Sequence, residues 1–393
     1  MLTPDRHDLY LTDALLDDRD AALREAVRRY CDEEVRPIIN GCWERAEFPV
    51  AALPGLARLG IVGGTIAGHG APGLSARAAG VAAMELARCD GSLSTFFGVQ
   101  SGLVMRAIHM HGSEEQRRRW LPGLARLELI GSFALTEPHH GSDAVALETS
   151  ARRDGAGWRL SGHKRWIGNA TFADLLVVWA RDEATGEVGA WVVPGGAEGL
   201  EARPITGKIG KRASVQADIV LDGVPVADED RLRGADGFAA AAAVLTKARS
   251  GVAWAALGHA RAALEIAIEH TCRRSSFGRP LAGHQIVQAT LAKMTATVTG
   301  MALMCHRLAE LETDEPADAA RASLAKMHNA GAAREVVGAA RELLGGDGLL
   351  LENDVARHLT DVEVTVTVEG TEAIQALIVG RELTGLSAFG GAD

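Results

Sequence analysis

The chain has 393 residues, more than one ordinary core holds, so two or three subdomains are expected. Hydrophobic residues make up 47% of it and charged residues 23%, which excludes a disordered chain and a coiled coil. The net charge of -10 argues against nucleic acid as the main partner, because phosphate binding needs clustered positive charge; an anionic ligand in a locally basic site stays open.

From about Asp17 to Arg126 the pattern is helical. Leu23, Val27, Tyr30 and Cys31 recur at three- and four-residue steps, and Pro37 follows as an expected stop. Ala78 to Ala87 and Gly102 to His111 carry similar apolar stripes. From about Ile130 to Leu232 short strands follow, at Trp158–Gly162, Leu175–Trp179, Gly189–Val193 and Ala217–Leu221, the last ending on the turn signal Asp222-Gly223. They suggest a small barrel or sandwich. From Gly237 the chain is helical again, over Phe238–Ile268, His284–Leu311 and Asp318–Leu344, with Thr313 to Pro316 as an exposed turn.

No apolar run reaches the ~20 residues of a membrane span. Met1 to Asp20 is acidic and lacks a signal pattern, so a cytoplasmic protein is the default. The cysteines, Cys31, Cys42, Cys89, Cys272 and Cys305, are odd in number and not in C-x-x-C spacing, and read as reduced packing residues. His109 and His111 point to different helix faces, and His139-His140 has no third ligand at suitable spacing, so no metal is expected.

Five segments could carry chemistry. Glu369-Gly370-Thr371 sits between an alternating stretch, Val362 to Val368, and a helical pattern from Glu372 to Leu383. A carboxylate there, beside a glycine that permits close approach, is a candidate base or a helix-capping Glu. Phe133 to Asp143 is a polar loop able to offer N–H groups and hydroxyls to a polar ring or phosphate, or a plain β-entry loop. Trp166, beside Gly168 and Asn169, could stack on a flat heterocycle or be an ordinary half-buried Trp. Arg273 to Pro280 with Gln285 and Gln288 is a possible pyrophosphate and adenine grip, or a solvated basic turn. Gly345 and Gly346 allow close approach to a ligand, or end a helix.

In order and spacing these segments resemble the acyl-CoA dehydrogenase family from Asp20 to Phe389, most of all its glutaryl-CoA dehydrogenase branch and the related short-chain acyl-CoA oxidases of plants. The carrying stretches are Val99 to Met105, Gly112 to Gln116, Leu135 to Pro138, Ala173 to Arg181, Phe277 to Leu281 and Glu369 to Thr371. The resemblance implies an α+β chain: an N-terminal α-helical domain (1–129), a middle β-barrel-like domain (130–236) and a C-terminal four-helix bundle (237–393). It also implies FAD between the last two, a homotetramer built as a dimer of dimers, and electron-transfer flavoprotein as acceptor.

By the same resemblance, Phe133, Leu135, Thr136, Gly141 and Ser142 line the flavin, and Trp166 packs on it beside Ile167 and Gly168. Arg274, aided by Phe277 and Gln285, reaches the pyrophosphate of an adjacent subunit's FAD, with Glu342, Gly345 and Gly346 near the adenosine half. Thr371 touches the cofactor just beyond the base. Ser94, Thr95, Ser142, Arg249 and Gly370 belong to the substrate side. Glu369 is then the general base that removes the alpha proton of an acyl-CoA while the beta hydrogen leaves as hydride to flavin N5, giving a trans-2-enoyl thioester. An acyl-carrier-protein thioester is an alternative substrate, and oxygen an alternative acceptor.

Five positions depart from the relatives: Ser94, Gly168, Ser276, Glu342 and Thr360, of which the first two bear on the chemistry. Ser94 stands where the glutaryl-CoA branch has an Arg that grips the distal carboxylate, so glutaryl-CoA is not expected and an uncharged, short or branched chain fits better, with Arg106 or Arg249 as the alternative partners of such a carboxylate. Gly168 stands where many relatives have a Thr, and leaves more room near the flavin, as in the plant oxidases.

Overall fold

The computed structural model describes residues 8–314 and 318–389. Helices come first: α1 Asp18–Tyr30, α2 Arg36–Arg45, α3 Leu53–Arg58, α4 Ala76–Cys89, α5 Gly91–Phe97, α6 Arg106–His111 and α7 Glu114–Ala125. A two-stranded hairpin, β1 Ala67–Gly68 and β2 Ala71–Pro72, interrupts them. The starts are chemically marked. Asp17 accepts from the Asp20 N–H, Ser75 from the Ala78 N–H, and Ser113 with Gln116 forms a reciprocal capping box.

Pro37 does not stop its helix. A π-helical turn, Cys31–Val35, carries α1 directly into α2, and Pro37 falls in the first turn of α2, just after the wider turn, which accommodates a ring with no N–H to donate. A second π-helical stretch, Gly98–Met105, joins α5 to α6 without a break.

Seven strands follow: β3 Gly131–Ala134, β4 Ser150–Asp154, β5 Gly157–Gly168, β6 Leu175–Asp182, β7 Val188–Pro194, β8 Leu200–Pro204 and β9 Gln216–Ala227. Their order is β3-β6-β4-β5-β9-β8, with β7 on the other side of β6. β3 and β4 run parallel to opposite ends of β6, and the remaining pairs are antiparallel. The sheet curls around a small core of its own that includes Leu160, Leu176, Val178, Trp191 and Ile219. Leu175, Val177 and Trp179 face the other way, into the large helical core. Burial on both faces is why the Leu175–Ala180 run is apolar without alternation.

The turn expected at Asp222-Gly223 is a bulge instead. β9 continues to Ala227, and Gly223, at φ 60, sits where the register with β5 slips.

The C-terminal helices are α8 Phe238–Arg273, α9 Gln285–Asp314, α10 Ala319–Leu343, α11 Val355–Thr367 and α12 Glu372–Thr384. A short pair, β10 Ser275–Ser276 and β11 Arg279–Pro280, links α8 to α9. α8, α9, α10 and α11 pack together, and α8 also lies on α4. That contact is close enough that a Cβ on Gly258 would stand 2.2 Å from the Met84 carbonyl oxygen. The alternating Val362–Val368 stretch is helical in α11, because Val362, Thr365 and Val366 present a buried stripe at three- and four-residue steps. Of the turn expected over Thr313–Pro316, Thr313 and Asp314 belong to α9, and the rest lies outside the described residues.

Candidate active site

A cavity of about 1400 Å³ opens where the sheet, the first helices and α8 to α12 meet. Glu369 lies on its wall, in the break between α11 and α12. Two successive residues there have left-handed backbone, Glu369 at φ 56 and Gly370 at φ 98. A non-glycine residue in that region is strained unless its surroundings hold it. The restraints are visible. Gln375, fully buried, donates from Nε2 to the carbonyls of Glu369 (3.0 Å) and Gly370 (2.9 Å). Lys326 Nζ donates to the carbonyls of Val366 (2.8 Å) and Gly370 (2.6 Å). Arg249 Nε reaches the Glu369 carbonyl at 3.4 Å. Three side chains therefore fix the backbone of this turn and leave the carboxylate untied. A Cβ on Gly370 would come within 2.5 Å of the Gln375 Nε2, so the clamp requires glycine there.

Glu369 is half-buried as a residue, but its Oε2 is sealed from solvent with no hydrogen-bond partner. Burial pushes its carboxyl up to about 7, although Arg249, Lys326 and Lys211 pull the other way. Such a group is protonated or ionised with nearly equal ease at neutral pH, as a general base should be.

The opposite wall belongs to the sheet. Lys164 on β5 donates to the Leu135 carbonyl at 3.0 Å and to Glu137 Oε1 at 2.8 Å, and the Arg165 N–H donates to the Thr136 carbonyl at 2.8 Å. These bonds pin the loop after β3 to β5. Glu137 also accepts from the N–H groups of Glu148 and Thr149 and from the Thr149 hydroxyl. Burial alone would raise the Glu137 carboxyl; Lys164 and these donors hold it at about 2. The Lys164 ammonium, sealed from water, is pushed down to about 8 despite Glu137. Trp166, at φ 63, presents a half-exposed indole to the cavity.

Of the residues singled out in the sequence, the cavity brings together Phe133 of β3, Leu135, Thr136, Gly141 and Ser142 from the loop after it, and Trp166, Ile167 and Gly168 from β5. Ser94 and Thr95 of α5, Arg249 of α8, and Glu369, Gly370 and Thr371 line it too. It does not include Arg274, Phe277, Gln285, Glu342, Gly345 or Gly346. These six are exposed, Phe277 to 94%, on the surface around the α8–α9 link and the end of α10. A Cβ on Gly168 would lie 3.3 Å from a methyl of Val99, so a larger residue there would crowd that side chain.

The sequence reading missed Lys211, Lys326 and Gln375. Lys326 had a signal: a lysine on the stripe of α10 that also carries Ala322, Ser323 and Ala330, all buried. Gln375 and Lys211 had none, because their roles depend on a turn whose backbone is set by tertiary contacts. The histidines also find places. His111 Nε2 meets the Ala240 carbonyl at 3.1 Å. Glu137, His140 and Glu148 bring ligand atoms within 4.8 Å of one another, but Glu137 is already engaged by Lys164 and Thr149 and offers little to an ion.

The chain matches the N-terminal (17–128), middle (132–224) and C-terminal (235–384) domain models of acyl-CoA dehydrogenases. It is 33% identical to the bovine mitochondrial short-chain specific acyl-CoA dehydrogenase, over 92% of this chain and 89% of the relative. The chain belongs to the acyl-CoA dehydrogenase family. An acyl-CoA dehydrogenase of Bacillus subtilis is 30% identical over 92% of this chain and 97% of its own. Among solved structures, a glutaryl-CoA dehydrogenase from Mycobacterium smegmatis in complex with FADH2 superposes with a TM-score of 0.96 at 36% identity, covering 99% of this chain and 100% of that one. The family's three-part layout is the helix–sheet–helix order seen here. No helix among the described residues is long and apolar enough to cross a membrane.

Proposed function

We propose that the protein is an FAD-dependent enzyme that removes the alpha and beta hydrogens of an acyl-CoA or related acyl thioester, with Glu369 as the general base. The observation that carries this reading is a carboxylate with an orphaned, buried oxygen facing a large cavity, on a backbone clamped by Gln375, Lys326 and Arg249. FAD fits the sheet side of that cavity: an aromatic face from Trp166, hydroxyls from Thr136 and Ser142, and open space at Gly141, where a Cβ would meet nothing within 4 Å. When bound, FAD supplies the acceptor for the beta hydrogen and its electron pair.

The chain's own residues do the rest. Glu369, ionised, takes the alpha proton. Its backbone N–H donates to no protein acceptor among the described residues and is free to hold the thioester carbonyl oxygen as negative charge develops there. A thioester seated in the cavity would exclude water from both. Arg274, Phe277, Gln285, Glu342, Gly345 and Gly346, remote from the cavity, serve the cofactor of a neighbouring copy in a dimer-of-dimers tetramer. Residues 1–129, 130–236 and 237–393 are the three domains, and the enzyme works in the cytoplasm. Ser94, an uncharged side chain, gives no partner to a carboxylate at the glutaryl position. An electron-transfer flavoprotein is the expected acceptor.

Two measurements test this. Anaerobic mixing of the yellow holoenzyme with acyl thioesters should bleach the flavin, and a protein that binds no flavin or bleaches with none of them sinks the reading. The rate should also rise with pH through about 7, as Glu369 ionises. The same raised value acts oppositely on the fold: folding favours the protonated form, so this group's contribution to stability is full below about 4.5 and is lost as pH rises through about 7.

A further inference from the structure

The cavity extends well beyond Glu369. α5, the π-helical stretch Gly98–Met105 and α6 form one continuous rod, and Ser94, Gly98, Gly102 and Arg106 all line the cavity at four-residue steps along it. In a plain α-helix such steps drift by roughly 40° each around the axis. The wider turn of the π-helical stretch works against that drift and keeps the four on one wall. The middle two carry no side chain, and a Cβ built on either would meet nothing within 4 Å. The wall is thus an open floor from Ser94 to Arg106, on the order of 15–18 Å long at about 1.5 Å per residue.

Arg106 stands at its end. One guanidinium nitrogen, Nη2, donates to Thr65 Oγ1 at 2.6 Å, and Nε is buried with no partner. No carboxylate among the described residues forms an ion pair with it. Glu312 is the acid that acts on it, and Glu312 accepts from the Ser250 hydroxyl at 2.5 Å. A partly desolvated guanidinium with unused donors on a cavity wall is costly unless a ligand meets it, and a carboxylate meets its planar fork best.

We propose that the substrate is an acyl thioester whose chain runs along the Gly98–Gly102 floor and ends in a carboxylate held by Arg106 and Thr65. The proposal rests on the dehydrogenase reading above and replaces the expectation of an uncharged, short chain. It is distinct from a carboxylate at Ser94, which lies three helical turns nearer the start of the rod. The phosphates of a thioester carrier share the same chemistry, so the test must separate the two sources.

With purified holoenzyme, kcat/KM is measured for two acyl-CoA series of matched length, one plain and one carrying a terminal carboxylate. The wild type should prefer the carboxylated member at one medium length. Arg106→Met should lower kcat/KM for that substrate by about 10²-fold and change the matched plain thioester by less than about threefold. Calorimetry with the corresponding enoyl products should show the same split in affinity, without turnover. Gly102→Leu, which plugs the floor, should abolish use of the long carboxylated chain and spare a short plain one. Equal loss on both series in Arg106→Met would assign Arg106 to the carrier's phosphates or to the fold, and would overturn the proposal. So would a wild type that prefers the plain chain at every length. Failure of the parent reading looks different: no thioester of either series would bleach the flavin.

Discussion

Glu369→Gln is expected to retain bound FAD and to lose at least about 10²-fold in turnover. The substitution preserves volume and keeps a polar end, so the cavity should hold its shape. The clamp on the turn uses backbone carbonyls, through Gln375, Lys326 and Arg249, and does not touch the carboxylate. The variant therefore separates chemistry from structure. The amide cannot take a proton at neutral pH, and the slow alpha C–H ionisation loses its acceptor. The rise in rate through pH 7 should vanish with it. Flavin absorbance and single-turnover bleaching read both effects. A variant that bleaches at nearly the wild-type rate would remove Glu369 from the base role.

Glu137→Gln is expected to destabilise the fold by about 3–5 kcal/mol, because it leaves the fully buried Lys164 ammonium without its counter-charge. The loss would appear as a lower urea midpoint, and as weaker retention of FAD, since the pair pins the loop that carries Thr136 and Ser142. Replacing both partners with apolar residues should recover much of the stability but not the loop position. The wild-type pair has a predictable response to acid. The Glu137 carboxyl is held near 2, below its unfolded value near 4.5, so its contribution is complete above that higher value and is lost as pH falls through about 2. A Glu137→Gln protein as stable as the wild type would refute this account.

Much of this arrangement was legible in the order of residues. Strands such as Leu175–Trp179 declared themselves through β-branched and apolar runs, and the long alanine-rich helices through length and periodicity. The loop residues and Glu369 were found because several motifs occurred in the right order, although each was ambiguous alone. The errors share a cause. Pro37 and Asp222-Gly223 are strong local signals, and each was overruled by its surroundings. A π-helical turn absorbed the proline, and a bulge absorbed the glycine. Lys326 and Gln375 escaped notice because a buried donor that holds main-chain carbonyls leaves no motif.

Lys326 sets a limit of its own. Its ammonium grips the carbonyls on both sides of Glu369, and burial brings it down to about 8. Alkali should therefore loosen the tether just above the point at which the base becomes competent. Activity should trace a narrow bell, with its acid limb from one side chain of this turn and its alkaline limb from the ammonium beneath it. Lys326→Met should give a slower enzyme whose rate no longer declines at high pH. An unaltered alkaline limb in that variant would assign the decline to another group.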